Sequence, residues 1–412
     1  MSLRTLVPTL LLAFTLPAIA QDYKTTILPK LNGLNTVGFS MNASGQIVGV
    51  APVPTGGQRN FVWSRQAGMV DIGAPEFGPW RINSPGTIAG SESVGGGHVH
   101  ALIRTPDGAF QDLGTLGGNW SEAIGINDQG QVAGCSDTAT SPPYVQDVFF
   151  WTASSGMQDL GASTGTTGCS FATAIGNGGQ VVGTLTNNDV FVWTQGQAVE
   201  DLGFAGFPQA VNQAGAIVGL RCCGASNAFL WTRSGGVQDL GLLPGFVFSI
   251  ASSINTHGQV VGTLGAADAG STRAFIWSQA TGMQLLPPTV PKWEAHAIND
   301  AGQILLERGT ATRLLTPLMK VTLASSANPS HVGQPITFTA TVTSVQGAPP
   351  DAENMVFKDG LKVLATVPLS SGSASFVISS LKTGTHTIVA NYVGDVNYFS
   401  SKSVVLKQVV NP

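Results

Sequence analysis

Charged side chains are scarce in this chain. Only 10% of its 412 residues are Asp, Glu, Lys or Arg, against about a quarter in an average globular domain. The net charge is −4, and no run of Lys and Arg is present to neutralise a phosphate backbone. Nucleic acid is therefore not expected as a partner. Beyond residue 20 no stretch approaches the roughly 20 apolar residues that a membrane-spanning helix needs, so no transmembrane segment is expected. There are four cysteines, Cys135, Cys169, Cys222 and Cys223. No CxxC pair with metal-ligand spacing and no His accompanies them, so neither a zinc site nor any other metal or cofactor is expected. Glycine is what the chain has in excess, at 52 residues, well above the average share of about 7%. Low charge, abundant glycine and a 43% apolar fraction fit a β-rich fold with many turns rather than disorder.

The first residues read as an export signal. Arg4 is a short positive region, Leu6–Leu16 an apolar core, and Ala18-Ile19-Ala20 a small-residue cleavage site, so residues 1–20 are expected to be a signal peptide. No Cys follows the site to carry a lipid. The mature chain is expected to be exported, soluble and monomeric.

One phrase then recurs. It is clearest at Gly125-Ile126-Asn127-Asp128-Gln129-Gly130-Gln131-Val132-Ala133-Gly134. Its Asn column is Asn42, Asn83, Asn127, Gly176, Asn212, Asn255 and Asn299, in steps of 41, 44, 49, 36, 43 and 44 residues. Three places later a Gly never varies: Gly45, Gly86, Gly130, Gly179, Gly215, Gly258 and Gly302. Asn can bond its own backbone two residues on, and Gly accepts φ > 0, so each phrase predicts a tight β-hairpin. A second phrase pair sits at fixed spacing. Trp63, Trp151, Trp193 and Trp231 each precede an Asp by eight residues (Asp71, Asp159, Asp201, Asp239), and the frame persists from Arg104 to Asp112 and from Trp277 to Leu285. That constancy predicts a second hairpin whose register is pinned by its turn.

Each unit therefore holds four strands, apolar on consecutive residues and so buried on both faces. Periods of about 40–50 residues with several strands each suggest propeller blades. The seventh unit (298–317) lacks a fourth strand, and Tyr23–Leu28 can supply it. The expected fold is all-β, a seven-bladed β-propeller over 21–318 closed by an N-terminal strand. An open array is the alternative; it needs polar, atypical end repeats, which are not evident. After Met319 alternating runs such as Ile336–Val342 and Thr387–Tyr392 predict an Ig-like β-sandwich over 319–412.

The A-F-L-W, M/V-Q-D-L-G and G-I-N-D-x-G-Q-V-V-G phrases resemble the HAF-repeat family of bacterial extracellular repeat proteins over about 23–317. That resemblance implies location more than activity. Gly333–Phe338, Val356–Gly360, Gly384-Thr385-His386 and Tyr392-x-Gly394-Asp395-x-Asn397-Tyr398 are similar to a bacterial Ig-like domain over about 321–409, which implies a surface or stalk module.

Several constellations could carry chemistry. In an exported protein Cys135 and Cys169 are candidates for a disulfide, and Cys222–Cys223 for a strained vicinal one; free thiols are the plain alternative. Gly161-Ala162-Ser163-Thr164-Gly165 matches G-x-S-x-G, but no helix follows, as a nucleophile elbow requires. His98 and His100 share one side of a strand without a third ligand. The repeated Asp residues occupy one structural position and read as fold support; Asp128 and Asp300 read as turn formers. A sialidase would need an Arg cluster and a Tyr nucleophile, whereas the first 318 residues contain only Tyr23, Tyr144 and scattered Arg. Aromatics between the phrases, Phe77, Trp80, Trp120, Tyr144, Phe204, Phe207, Phe246, Phe248 and Trp293, could form loop platforms for a sugar or a protein, or could fill gaps between units. The sequence thus points to a non-enzymatic extracellular or cell-surface protein that binds a glycan or a surface protein, with the Ig-like domain as spacer. The alternatives are a glycan-active enzyme, which would need convergent carboxylates at the ring's centre, and a purely structural surface protein.

Overall fold

The computed structural model describes residues 22–412 apart from 55, 74–76, 139–145, 162–171, 223, 225, 269 and 289–290. The expected signal peptide lies outside the described residues. The architecture is all-β. Among the described residues no helix is long and apolar enough to cross a membrane.

Residues 23–317 make seven antiparallel units. Their first strands are Val37–Met41, Phe77–Ile82, Gly117–Ile126, Ala172–Ile175, the second half of Glu200–Val211, Phe246–Ile254 and Glu294–Ile298. Each pairs with the strand that follows the Asn turn, and that strand with a third. Glu200–Val211 runs unbroken as the last strand of unit four and the first of unit five. Unit seven has only Glu294–Ile298, Ile304–Arg308 and Ala311–Pro317 of its own; Tyr23–Ile27 pairs along the last of these, from Tyr23 opposite Pro317 to Ile27 opposite Arg313.

The phrase Asn-x-x-Gly does two jobs. Locally, the Gly45 N–H donates to the Asn42 carbonyl at 3.0 Å, and the Asn42 side-chain oxygen accepts from the Gln46 N–H at 2.9 Å. All seven Gly of the phrase have φ between 71° and 93°, the left-handed region where a Cβ is penalised. Between units, each Asn donates its side-chain N–H to the main-chain carbonyl at the same place in the next unit: Asn42 to Asn83, Asn83 to Asn127, Asn127 to Gly176, Asn212 to Asn255, Asn255 to Asn299, and Asn299 to Asn42 (3.0–3.3 Å). The step from unit four to unit five has no such link, because Gly176 has no side chain.

The apolar doublet after the Gly is split between two neighbours. Ile47 packs with Leu305 and Leu314 of unit seven, whereas Val48 packs with Phe77 and Ile88 of unit two. Val181 and Val182 divide likewise between units three and five, and Val260 and Val261 between five and seven. The apolar clusters join each unit to the next from one to seven, and unit seven to unit one. This is why adjacent residues of one strand are both buried, and each Val or Ile so placed contributes about 1.5–3 kcal/mol.

The C-terminal region is a sandwich. One sheet holds Lys320–Ser325, Ile336–Thr343 and Ser373–Ile378; the other holds Ser330–His331, Leu406–Asn411, Gly384–Tyr392, Asn354–Asp359 and Lys362–Pro368. Phe338, Phe357, Ile388 and Tyr392 fill the space between them. The sandwich does not stand off as the expected spacer. Gln346 bonds the Tyr23 hydroxyl, Gln303 donates to the Asn397 carbonyl at 3.2 Å, and the Phe399 ring lies 3.9 Å from both the Lys24 ammonium and the Arg65 guanidinium. It rests on units seven and one, against the strand Tyr23–Ile27.

Candidate ligand cavity

Every first strand carries a register shift three residues before its Asn position. The bulged residues are Phe39, Trp80, Ile124, Thr173, Gln209, Ser252 and His296. A bulge re-aims the side chain it carries. Opposite the bulge the second strand carries glycine in six units and Leu306 in unit seven: a Cβ on Gly49 would fall 2.0 Å from the Val37 carbonyl oxygen, and one on Gly134 2.0 Å from that of Glu122.

A cavity of about 350 Å³ is lined by residues from all seven first strands. Phe39, Gln209, Ser252 and His296 reach it from the bulges, and Ser40, Arg81, Gly125, Ala174, Ala210, Ser253 and Ala297 come from the next position along. Met41, Ile126, Ile175, Val211 and Ile298 border both this cavity and a second one of about 210 Å³ among the Asn turns. They form an apolar collar between the two.

Arg81 is the one ionic side chain in its column. The equivalent residues are Ser40, Gly125, Ala174, Ala210, Ser253 and Ala297. It is half-buried on the cavity wall, and desolvation there holds its guanidinium below the usual pKa without removing the charge. One Nη donates to the Trp80 carbonyl at 3.0 Å. Among the described residues no carboxylate lies within ion-pairing distance of it. Trp80 packs against Phe39 with ring centroids 5.5 Å apart and planes 33° apart. Its indole N–H is buried without a hydrogen bond of normal geometry, and the nearby Glu122 carboxyl is raised by burial, with Trp80 opposing.

Across the cavity, burial lowers the His296 pKa, with Glu294 opposing and Arg81 reinforcing. His296 Nε2 is 3.5 Å from the Glu307 carboxylate. Burial first, and then Glu294 directly opposite it in the ladder, push Glu307 up to about 7. Both shifts favour uncharged forms, so this approach is not a full ion pair at neutral pH.

The aromatic platforms expected on loops are redistributed. Phe77 is fully buried between units one and two, edge-on to Phe110, and Trp293 is 3% exposed beneath the Arg313 guanidinium. Both are core residues, and Phe204 is buried against Phe229. Trp80, Trp120, Phe207, Phe246 and Phe248 lie on strands and none of them lines the cavity; Trp80 packs behind Phe39, which does. Tyr144, Cys169, Cys223 and residues 162–165 of the G-x-S-x-G match lie outside the described residues. Cys135 is buried opposite Glu122 and Val148, and Cys222 is half-buried.

Each repeated Asp caps the backbone two residues on: Asp71, Asp112, Asp159, Asp201 and Asp239 accept from the following Gly N–H at 2.7–3.0 Å. Asp128 and Asp300 do more than form turns, since they accept from Ser84 and Thr256 of the preceding units. His100 pairs with Asp112 at 2.8 Å. Among the described residues no group of three His, Cys, Asp or Glu is placed to hold a metal ion.

A family model for a bacterial Ig-like domain (group 3) matches residues 322–411. The C-terminal sandwich is a bacterial Ig-like domain. No curated protein matches the chain. The extracellular domain of a hybrid two-component system of B. thetaiotaomicron, BT4673, is 11% identical with a TM-score of 0.44, over 95% of this chain and 60% of that one. A second structure of that extracellular domain gives 10% and 0.31 over 92% and 70%. The tricorn protease gives 11% and 0.21 over 90% and 42%. The chain spans about 60% of the length of the first of these, and scores this low carry no argument. The Ig-like domain is thus the part of the chain that a known family covers.

Proposed function

We propose that the seven units close into a seven-bladed β-propeller and that the protein is an exported, non-enzymatic binding protein of the cell exterior. Its ligand, a glycan, sits in the cavity at the ring's centre rather than on loop aromatics. The observation that carries this reading is the cavity itself: one polar space bounded by all seven first strands, with side chains re-aimed into it by bulges. Concave sites with a few convergent polar groups are the usual place for a small ligand. Phe39, backed by Trp80, offers an apolar face, while Gln209, Ser252 and His296 offer hydrogen bonds. Export rests on the leader read from residues 1–20.

The test is calorimetric titration of the mature chain with oligosaccharides and peptidoglycan fragments. Saturable binding is expected, weakened at least tenfold by Phe39→Ala and abolished by Ser252→Trp, which fills the cavity. Full affinity in Ser252→Trp would move the ligand elsewhere.

A second reading is favoured by one observation. A carboxyl held near 7, as Glu307 is, has the protonation a general acid needs at neutral pH. Release of new reducing ends during the same titration, lost in Glu307→Gln, would establish a glycan-active enzyme.

A further inference from the structure

The column that holds Arg81 is small in every other unit: Ser40, Gly125, Ala174, Ala210, Ser253 and Ala297. Small residues there leave the cavity open. A guanidinium in one unit of seven is therefore not required by the repeat, whose strands pair equally well without it. Nor do the described residues give it a charged partner. Among the described residues no carboxylate pairs with it, and its one hydrogen bond goes to the neighbouring Trp80 carbonyl. Arg81 is half-buried on the cavity wall, and a partly desolvated charge normally has a counter-charge. Its absence among the described side chains points to one that arrives with a ligand.

We infer that Arg81 receives the carboxylate of an acidic sugar, and that the ligand is the uronate-bearing end of a glycan. The fork of the guanidinium matches a carboxylate with two parallel hydrogen bonds. The bond to the Trp80 carbonyl fixes the orientation of that fork on one side. Beside it Phe39, backed by Trp80, presents a ring on which a sugar face can stack. The Ser40 and Ser253 hydroxyls accept from the Ile82 and Ile298 N–H groups at 3.4 and 3.3 Å, which leaves each O–H to donate to a sugar oxygen. The choice of a chain end follows from the collar. A hydrated sugar that enters beside Arg81 meets the apolar ring of Met41, Ile126, Ile175, Val211 and Ile298, so a polymer cannot thread onward.

This inference rests on the cavity being the binding site, and the experiment separates the two. The probes are an oligosaccharide ending in a uronic acid, the same oligosaccharide with its carboxyl reduced to an alcohol, and a short peptide with a free C-terminal carboxylate. Each is titrated into the mature full-length chain. The uronate is expected to bind, and carboxyl reduction to weaken it about 10- to 100-fold, the range for a hydrogen bond to a charged group. Arg81→Gln should lower uronate affinity to that of the reduced probe without changing the latter. The comparison of probes on the unaltered protein stands even if the variant fails to fold. Equal binding of uronate and reduced probe, abolished by Ser252→Trp, would overturn the role of Arg81 and leave the cavity reading intact. Binding of the peptide in preference to the uronate would overturn the ligand class. No binding of any probe would overturn both readings.

Discussion

Replacing Gly176 by Asn should stabilise the protein. In the other six units the residue at this place is Asn, and its side chain links one unit to the next. In unit four the link is missing, and its absence leaves a trace. In units one, three, six and seven the Asn N–H also donates to the Gln four residues on, at 2.7 Å. The corresponding Gln180 oxygen is buried with no hydrogen-bond partner. An Asn at 176 would satisfy that oxygen, reach the Asn212 carbonyl and accept from the Gln180 N–H. A net hydrogen bond contributes about 1 kcal/mol, and an unpaired buried acceptor costs about 1–3 kcal/mol. Removing a glycine at an ordinary φ adds roughly 0.4–1 kcal/mol through the unfolded chain. Against this, the new Cβ would sit 3.1 Å from a Val211 methyl, which must give by a few tenths of an ångström. The balance is a gain of about 2 kcal/mol, or a rise in melting temperature of roughly 3–5 °C. Thermal unfolding followed by circular dichroism would measure it. A melting temperature that is unchanged or lowered would refute the claim that the Asn column is an inter-unit clamp.

Three further outcomes are expected. Gly130→Val should cost about 1–3 kcal/mol, since φ is +74° there, a β-branched residue is strained at positive φ, and nothing lies within 4 Å of the added Cβ to confuse the reading; an unaltered melting temperature would contradict the turn. Glu307 is raised from 4.5 to about 7, so the folded state holds its proton more tightly and stability should fall as pH rises from about 4.5 to 7, by roughly 2–3 kcal/mol in all. His296, lowered from 6.5, acts in the other direction by costing stability as pH falls, so the diagnostic is the difference between wild type and Glu307→Gln, and identical pH profiles would count against the shift. Mass mapping under non-reducing conditions is expected to recover a Cys135–Cys169 peptide pair; recovery of both as alkylated thiols would dismiss the bridge.

What could be read in the sequence divides along a physical line. The Asn and Gly columns, the doublets and the Trp-to-Asp spacing are set by local backbone geometry or by strict repetition, and the hairpins follow from them. The strand Tyr23–Ile27 pairs with Ala311–Pro317 because the seventh unit is one strand short. The site was hidden by a slip of a single residue. A bulge turns Phe39, Gln209, Ser252 and His296 toward the cavity, and nothing local in the sequence announces it. Aromatic content alone pointed to Phe77 and Trp293, which pack into the core. A usable signal was present two places before each Asn, where Arg81 stands in a column of Ser, Gly and Ala. Glu294 and Glu307 became neighbours only through ladder pairing, at a separation in sequence that no motif marks.

The seam at unit seven also settles how the molecule bears load. Because Tyr23–Ile27 and Ala311–Pro317 run antiparallel with Tyr23 opposite Pro317, the chain enters and leaves this pair at the same end. Tension between the two ends would not shear the five residue pairs together. It would open them singly, as a zipper opens, beginning at Tyr23. The bonds that hold that end shut are the Leu318 N–H to the Asp22 carbonyl at 2.8 Å and Lys320 to Asp22 at 2.9 Å, beside Gln346 on the Tyr23 hydroxyl and Phe399 on Lys24. Most of these partners belong to the C-terminal sandwich or the chain leading into it, so under force that domain acts as the stop at the zipper's end.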